Sequence, residues 1–268
     1  VPDMNGPYKP GTPCWIDLMV PDQQAALDFY RDLFGWQGEI GPPEQGGYSV
    51  CTLKGKPVAG IMRAMNPDGS VPDPMPPTVW TTYLSTDGID ATLKSVTDAR
   101  GRTLAGPMDV MDLGRMAVVA DPTGAVFGLW EPRSFDGAGI VNEHGALIWS
   151  ELSTGDTGAA GAFYSSVLPV TTAPTEMPGA EGYIEIRVDG RAVGGMMDLE
   201  ALPDGTPANW LPYFAVDDVD SVQAAAVRAD GNVLAPACDS PAGRMAVLTD
   251  PQGAPFAVIT PRSAEQPA

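Results

Sequence analysis

The segment GRMAVVADPTGAVFGLWEP, Gly114 to Pro132, returns near the end of the chain as GRMAVLTDPQGAPFAVITP, Gly243 to Pro261. Self-similarity of this kind constrains the fold more than any single motif, because each copy must build the same unit and bury the same face. The pairing runs through most of the chain. PCWIDLMVPDQQAALDFYRDLFGW matches LIWSELSTGDTGAAGAFYSSVLP, which sets Trp15 on Trp149, Asp17 on Glu151, Asp22 on Asp156 and Phe29-Tyr30 on Phe163-Tyr164. GYSVCTLKGKPVAGIM matches GYIEIRVDGRAVGGMM, and PTVWTTYLSTDGID matches PANWLPYFAVDDVD. Two homologous domains are expected, residues 10–133 and 144–262, joined by a glycine-containing polar linker over 134–143.

Periodicity places the elements inside each copy. WIDLMV alternates, with Ile16, Leu18 and Val20 on one face and Trp15, Asp17 and Met19 on the other. Asp22 caps a helix whose Ala26, Phe29, Tyr30 and Leu33 fall on one stripe, and Gly35 closes it. That helix must cover the Ile16, Leu18 and Val20 face. Asp156 with Ala160, Phe163, Tyr164 and Val167 repeats the arrangement. In TTYLSTDGIDATLKSVTDARG and YFAVDDVDSVQAAAVRADG a strand again runs through Asp into a helix, ending at Gly101 or Gly231. Proline-rich loops, MNPDGSVPDPMPP and LEALPDGTPA, separate the halves of each domain. The expected class is α+β, with a βαβββ unit four times, two to a domain.

Composition narrows the functions. The chain has 268 residues, 44% of them apolar, enough for two cores. No apolar run reaches the length of a membrane span, and VPDMNGPYKP lacks the basic-then-apolar pattern of a signal peptide, so the expected compartment is cytoplasmic. A formal charge of -19 repels polyanions, which argues against nucleic acid and anionic membrane as partners. Cys14, Cys51 and Cys238 are odd in number and lack C-x-x-C spacing, so they read as small core residues. The single histidine, His144, precludes two histidine-dependent sites.

A strand ending in an aspartate that opens a helix bearing FY, followed by DPTG or DPQG before the last strand, resembles the vicinal oxygen chelate superfamily: glyoxalase I, extradiol dioxygenases, and fosfomycin and bleomycin resistance proteins. GTPCWIDL with ALDFYRDLFGW is similar to the paired-domain actinobacterial subfamily labelled hydroxylase or glyoxalase-like. The resemblance implies two tandem glyoxalase-like domains whose paired units curl mixed sheets around a cavity. It also implies metal ligands on the first and last strands of each unit. A first-strand histidine or glutamine lies seven residues before the helix-opening aspartate in that pattern, and here those places hold Trp15 and Trp149. The terminal-strand glutamate, seven residues after the DPxG aspartate, maps to Gly128 and Ala257. The second unit's first-strand ligand maps to Thr81 and Leu211, and the windows Ala59 to Met62 and Val193 to Met197 contain no carboxylate, imidazole or thiolate. The expected metal set is therefore empty and no cofactor is expected. Glu131 falls on the opposite face of its strand unless the register slips, and His144 maps to no ligand.

The cavity strands carry aromatics and thioethers instead: Trp15, Tyr48, Met62, Met116, Gly128 and Trp130 in the first domain, Trp149, Met197 and Met245 in the second. They either line a pocket for a flat, hydrophobic aromatic molecule or plug the space as core. Trp15 with Asp17 and Trp149 with Glu151 face the cavity or the contact between domains. Two functions follow. One is a metal-free binding protein for a secondary-metabolite-like ligand, serving sequestration, resistance or assistance to a biosynthetic enzyme. The other is a metal-independent lyase, isomerase or cyclase with Asp17 or Glu151 as general base on a polyketide-like substrate, a carboxylate whose burial beside indole would raise its pKa. Metal-dependent oxygenation lacks its ligands, and no phosphate loop, nucleophile elbow or dinucleotide fingerprint is present. The first domain is expected to be the functional one, because Ser153, Leu211 and Ile259 replace Met19, Thr81 and Trp130 in the second.

Overall fold

The computed structural model describes residues 7–66, 68–202 and 205–262; the opening six residues and parts of both proline-rich loops, Pro67, Pro203 and Asp204, lie outside them. β1 (Pro13–Val20) leads into α1 (Gln23–Phe34), and the side chains of Ile16, Leu18 and Val20 are fully buried beneath it. Asp22 caps this helix by accepting from the Ala25 N–H at 3.0 Å. Gly35 ends it in the left-handed conformation, its N–H donating to the Arg31 carbonyl. β2 (Ser49–Leu53) and β3 (Lys56–Arg63) complete the first unit. β4 (Trp80–Ser85), α2 (Ile89–Asp98), β5 (Arg102–Val110), β6 (Gly114–Ala120) and β7 (Val126–Pro132) form the second. The other copy repeats the series: β8 (Leu147–Thr154), α3 (Thr157–Val167), β9 (Thr171–Pro174), β10 (Ile184–Val188), β11 (Arg191–Asp198), β12 (Asn209–Ala215), α4 (Val219–Arg228), β13 (Asn232–Ser240), β14 (Gly243–Thr249) and β15 (Pro255–Pro261).

The first unit departs from the expected pattern at one strand. Where the second copy has β9, the first has a single bridge, Gln37 to Thr52. The sequence there, GEIGPPEQGG, holds two prolines, which cannot donate to a ladder, and four glycines, which bring no side chain to pack on one. The sheets are therefore of seven strands, β2-β3-β1-β4-β7-β6-β5, and eight, β13-β14-β15-β12-β8-β11-β10-β9. Each is mixed and curled without closing into a barrel. At each centre the leading strands of the two units lie antiparallel, Trp15 opposite Tyr83 and Asp17 opposite Thr81, with Trp149 opposite Tyr213 in the copy. The strands completing the units flank them in parallel, Asp17 beside Gly60 and Tyr83 beside Gly128.

The helices lie between the two sheets and the cores are shared. One hydrophobic cluster joins Ile16, Phe29, Tyr30 and Trp36 to Phe214, Phe256 and Val258; another joins Ile89, Phe127 and Leu129 to Phe163, Tyr164 and Trp210. A reciprocal polar clamp ties them. The Tyr164 hydroxyl donates to Asp121 at 3.0 Å and accepts the Trp210 indole N–H at 2.9 Å. Tyr30 does the same with Asp250 at 3.4 Å and Trp80 at 3.2 Å. The FY of each copy is thus held by the DPxG aspartate of the other.

Segment 134–143, expected as the linker, packs on the first copy: Ala138 and Ile140 are buried, the Ala138 N–H bonds to the Cys14 carbonyl, and the Gly139 N–H to that of Pro57. The expectation for the cysteines is corrected at one of the three. Cys14 and Cys51 are core residues, whereas Cys238 is exposed on β13, an outer strand whose side chains are mostly solvated. No helix among the described residues is long and apolar enough to cross a membrane.

Candidate functional site

With the helices on one side of each sheet, the other face is left to a polar cluster that occurs twice. In the first sheet Asp17 is 5% exposed, and the hydroxyls of Tyr83 and Tyr48 donate to its Oδ2 at 3.0 and 3.4 Å. The Trp15 indole N–H donates to the Tyr48 hydroxyl at 2.8 Å. In the second, Glu151 accepts from Tyr213 at 2.8 Å and Tyr183 at 2.9 Å, and the Trp149 N–H donates to the Tyr183 hydroxyl at 2.8 Å. Burial dominates the electrostatics. It pushes the Asp17 carboxyl up to about 7 from 3.8, with the hydrogen bonds of Tyr83 and Tyr48 pulling the other way. Glu151 is raised for the same reason and opposed by Tyr213 and Tyr183. The tyrosines are held well above their ordinary range, by burial first and by the neighbouring carboxylate second.

Glycines make the cluster possible. A Cβ at Gly60 would collide with the Tyr48 hydroxyl, one at Gly128 with the Tyr83 ring, and one at Gly195 with the Tyr183 hydroxyl. Gly128 occupies the place of the last-strand ligand in the resemblance, and the Tyr83 ring fills what a glutamate would have used. Tyr83, Tyr183 and Tyr213 were missed by the sequence reading, although a signal was present: each tyrosine recurs at the matching place in both copies.

The remaining candidates divide. Trp15 and Trp130 share the helix-free face with Asp17 but are covered by Phe135 from segment 134–143, whose ring meets Trp15 edge-on at 5.0 Å and Trp130 at 6.0 Å. The Trp130 N–H is satisfied by the Phe135 carbonyl at 2.8 Å. Met116 is half-buried beside Trp130, and Met62 is half-buried beside Met19, which is 39% exposed. In the second sheet Trp149 and Met245 are half-buried against Tyr213 and Ile259, whereas Met197 is half-buried beside Ser153. Glu131 points to the helix side, where its carboxylate accepts the Ile89 N–H at 2.6 Å and so caps α2. His144 lies at the surface, its Nδ1 accepting the Asp217 N–H at 3.1 Å.

The donor set does not fit a divalent cation. On each helix-free face one carboxylate, Asp17 or Glu151, is surrounded by tyrosine hydroxyls held in their protonated form; Glu185, which shares the second face, is paired with Arg187 at 2.9 Å; and no group of three His, Cys, Asp or Glu that could hold a metal occurs among the described residues.

Comparisons with known proteins agree with this architecture. Residues 14–129 match the model of the Glyoxalase/Bleomycin resistance protein/Dioxygenase superfamily, and residues 150–259 match that of the Glyoxalase-like domain. The chain is 44% identical over 257 residues to a Mycobacterium tuberculosis protein named "Putative glyoxylase CFP32", covering 95% of this chain and 96% of the relative. It is 38% identical over 260 residues to the Streptomyces peucetius protein named Anthracycline biosynthesis protein DnrV, covering 94% of each. Among solved structures, the 2,3-dioxygenase LapB from Pseudomonas sp. KL28 superposes with a TM-score of 0.61 at 15% identity, over 99% of this chain and 98% of that one. The Mn(II)-bound glyoxalase from Novosphingobium aromaticivorans gives 0.61 at 13% identity, over 97% and 88%. Both are likenesses of fold.

Proposed function

The chain belongs to the glyoxalase/bleomycin resistance protein/dioxygenase superfamily, and from that premise we propose that it is a metal-independent small-molecule-binding protein that holds a planar hydrophobic ligand on the helix-free face of its first sheet. The observation that carries the reading is the replacement at the ligand positions. Trp15, Thr81 and Gly128 stand there, and the tyrosine rings lying over Gly60 and Gly128 turn the space into an aromatic wall around one carboxyl. Polarisable thioethers border that wall. Met19, Met62, Met108 and Met116 share the face, with Met108 45% exposed, whereas the second sheet has Ser153, Met197, Cys238 and Met245 at the matching places. Thioethers adapt to flat conjugated surfaces. A relative named for anthracycline biosynthesis supports a ligand of secondary-metabolite type, and a role in sequestration or in assisting a biosynthetic enzyme.

Titration with 1,4-dihydroxyanthraquinone tests the reading. Saturable quenching of tryptophan fluorescence is expected, weakened several-fold by Met62→Ala or Met116→Ala, since each removes about 0.3–1.5 kcal/mol of sulfur–aromatic contact. Non-saturable quenching, or about one transition metal per domain by elemental analysis after dialysis, would contradict it. A second reading, proton transfer by Asp17, rests on the placement of its oxygens.

A further inference from the structure

The two sheets carry the same four groups but use the carboxylate differently. Glu151 divides its oxygens, Oε1 taking Tyr213 and Oε2 taking Tyr183. Asp17 does not: both tyrosines converge on Oδ2, and Oδ1 accepts no hydrogen bond from any described residue. The cause is one methylene. The longer glutamate sets one oxygen before each hydroxyl, while the shorter aspartate presents a single oxygen to both. Asp17 Oδ1 is also absent from the side-chain atoms that are sealed from solvent without a partner, so this oxygen keeps a narrow contact with solvent although Asp17 as a whole is 5% exposed. Across the strand from Asp17 stands half-buried Thr81, a hydroxyl, where Leu211 stands opposite Glu151.

Resting on the binding site just described, we propose that the first sheet's face is a proton-transfer site for carbon acids, in which Asp17 Oδ1 takes a proton from a carbon next to the carbonyl of a planar aromatic ketone and returns it to another atom of the same molecule. Glu151 only holds its own sheet. The C–H bond breaks and its electron pair becomes the carbon–carbon double bond of an enolate, whose charge rests on the former carbonyl oxygen. The O–H bond formed on Asp17 breaks in turn when the proton is delivered to that oxygen or to a conjugated carbon. The ligand leaves as an isomer, and no oxidant or reductant enters. Two O–H donors fixed on Oδ2 hold the carboxyl plane, so that Oδ1 is presented in one orientation. Thr81 is the hydroxyl placed to donate to the enolate oxygen. Asp17, held by burial at about 7, exchanges between base and acid at neutral pH.

The test uses the full chain and the bicyclic ketone 2-tetralone in D2O, with deuterium uptake at its activated methylene followed by proton NMR and binding followed by tryptophan quenching. Wild type and Glu151→Gln are expected to exceed the buffer rate by about 10²-fold, the low end for positioned proton transfer. Asp17→Asn is expected to fall to the buffer rate. Asp17→Glu keeps the charge and gives each tyrosine its own oxygen, as in the second sheet, and is expected to lose most of the rate while unfolding as cooperatively as wild type; it guards against a misfolded Asp17→Asn. Thr81→Leu should lower the rate with binding retained. Equal losses from Glu151→Gln and Asp17→Asn, an Asp17→Asn rate equal to wild type, or a wild-type rate equal to buffer overturns the proposal. Saturable quenching without exchange removes proton transfer alone, and no quenching removes the binding site as well.

Discussion

An aspartate enclosed by aromatic rings keeps its proton more tightly in the folded chain than in the unfolded one, and stability follows pH accordingly. Below about pH 4 both states hold the proton, and Asp17 favours neither. From there to about 7, the value to which burial raises it, the unfolded chain ionises while the folded chain does not, so folding stability falls with rising pH. Above 7 the full cost is present, at most about 4 kcal/mol. Urea unfolding at pH 5 and pH 8 should therefore show a smaller loss for Asp17→Asn than for wild type; equal losses would mean that Asp17 titrates normally. Glu151 acts with the same sign. Beneath the cluster, Gly60→Ala must displace the Tyr48 hydroxyl and should cost about 1–3 kcal/mol in the same assay. Asp17 and Glu151 stand out in the sequence because a carboxylate two residues after Trp occupies the same strand place in both copies. The tyrosines stand out less. They lie at places where the resemblance expects nothing, and only the collision at glycines shows that they occupy the ligand space. Trp15 and Trp130 were placed on the correct face, but their cover, Phe135, comes from a segment whose composition reads as linker.

Among the elements, helices were the most legible, since an Asp cap and a four-residue apolar stripe fix both the start and the buried face. α2 is the exception that shows the rule. Gly88 stands where Asp218 caps α4, so α2 has no side-chain cap of its own and borrows the Glu131 carboxylate from β7. Glu131→Ala should cost about 1 kcal/mol, the usual loss of an N-cap, measured by thermal unfolding. α2 and α4 also end earlier than expected. They stop at Asp98 and Arg228, and the left-handed residues are Arg100 and Asp230 rather than the glycines that follow. Gly101 is required for another reason: a Cβ there would press on Phe163, Val96 and the Ala120 carbonyl. The strand lost after α1 is a case where local chemistry overrode the repeat, for two prolines cannot extend a ladder that Thr171–Pro174 supplies in the copy. Tyr164→Phe leaves the buried Trp210 N–H without its acceptor, and a loss of about 1–3 kcal/mol is expected. Tyr30→Phe, whose bonds are longer, should lose less.

At the scale of the molecule, the repeat gave two copies but not their mutual dependence, because a self-alignment shows which residues are equivalent and not which ones touch. The hydrophobic clusters cross between copies, so unfolding should be a single transition by both tryptophan fluorescence and circular dichroism; two separated transitions would contradict a shared core. Each half contributes one tyrosine and one aspartate to the clamp and receives the same two from the other. Contacts of that type are how identical chains associate about a twofold axis. Residues 1–133 alone therefore carry both parts of a self-complementary surface, and that fragment should sediment as a homodimer or not fold. Tethering through 134–143 replaces encounter between separate chains with a fixed local concentration. It also lifts a restriction that symmetry imposes. A homodimer must change both faces with every mutation, whereas one continuous chain can keep Thr81, Met19 and Trp130 on one face while the other turns to Leu211, Ser153 and Ile259.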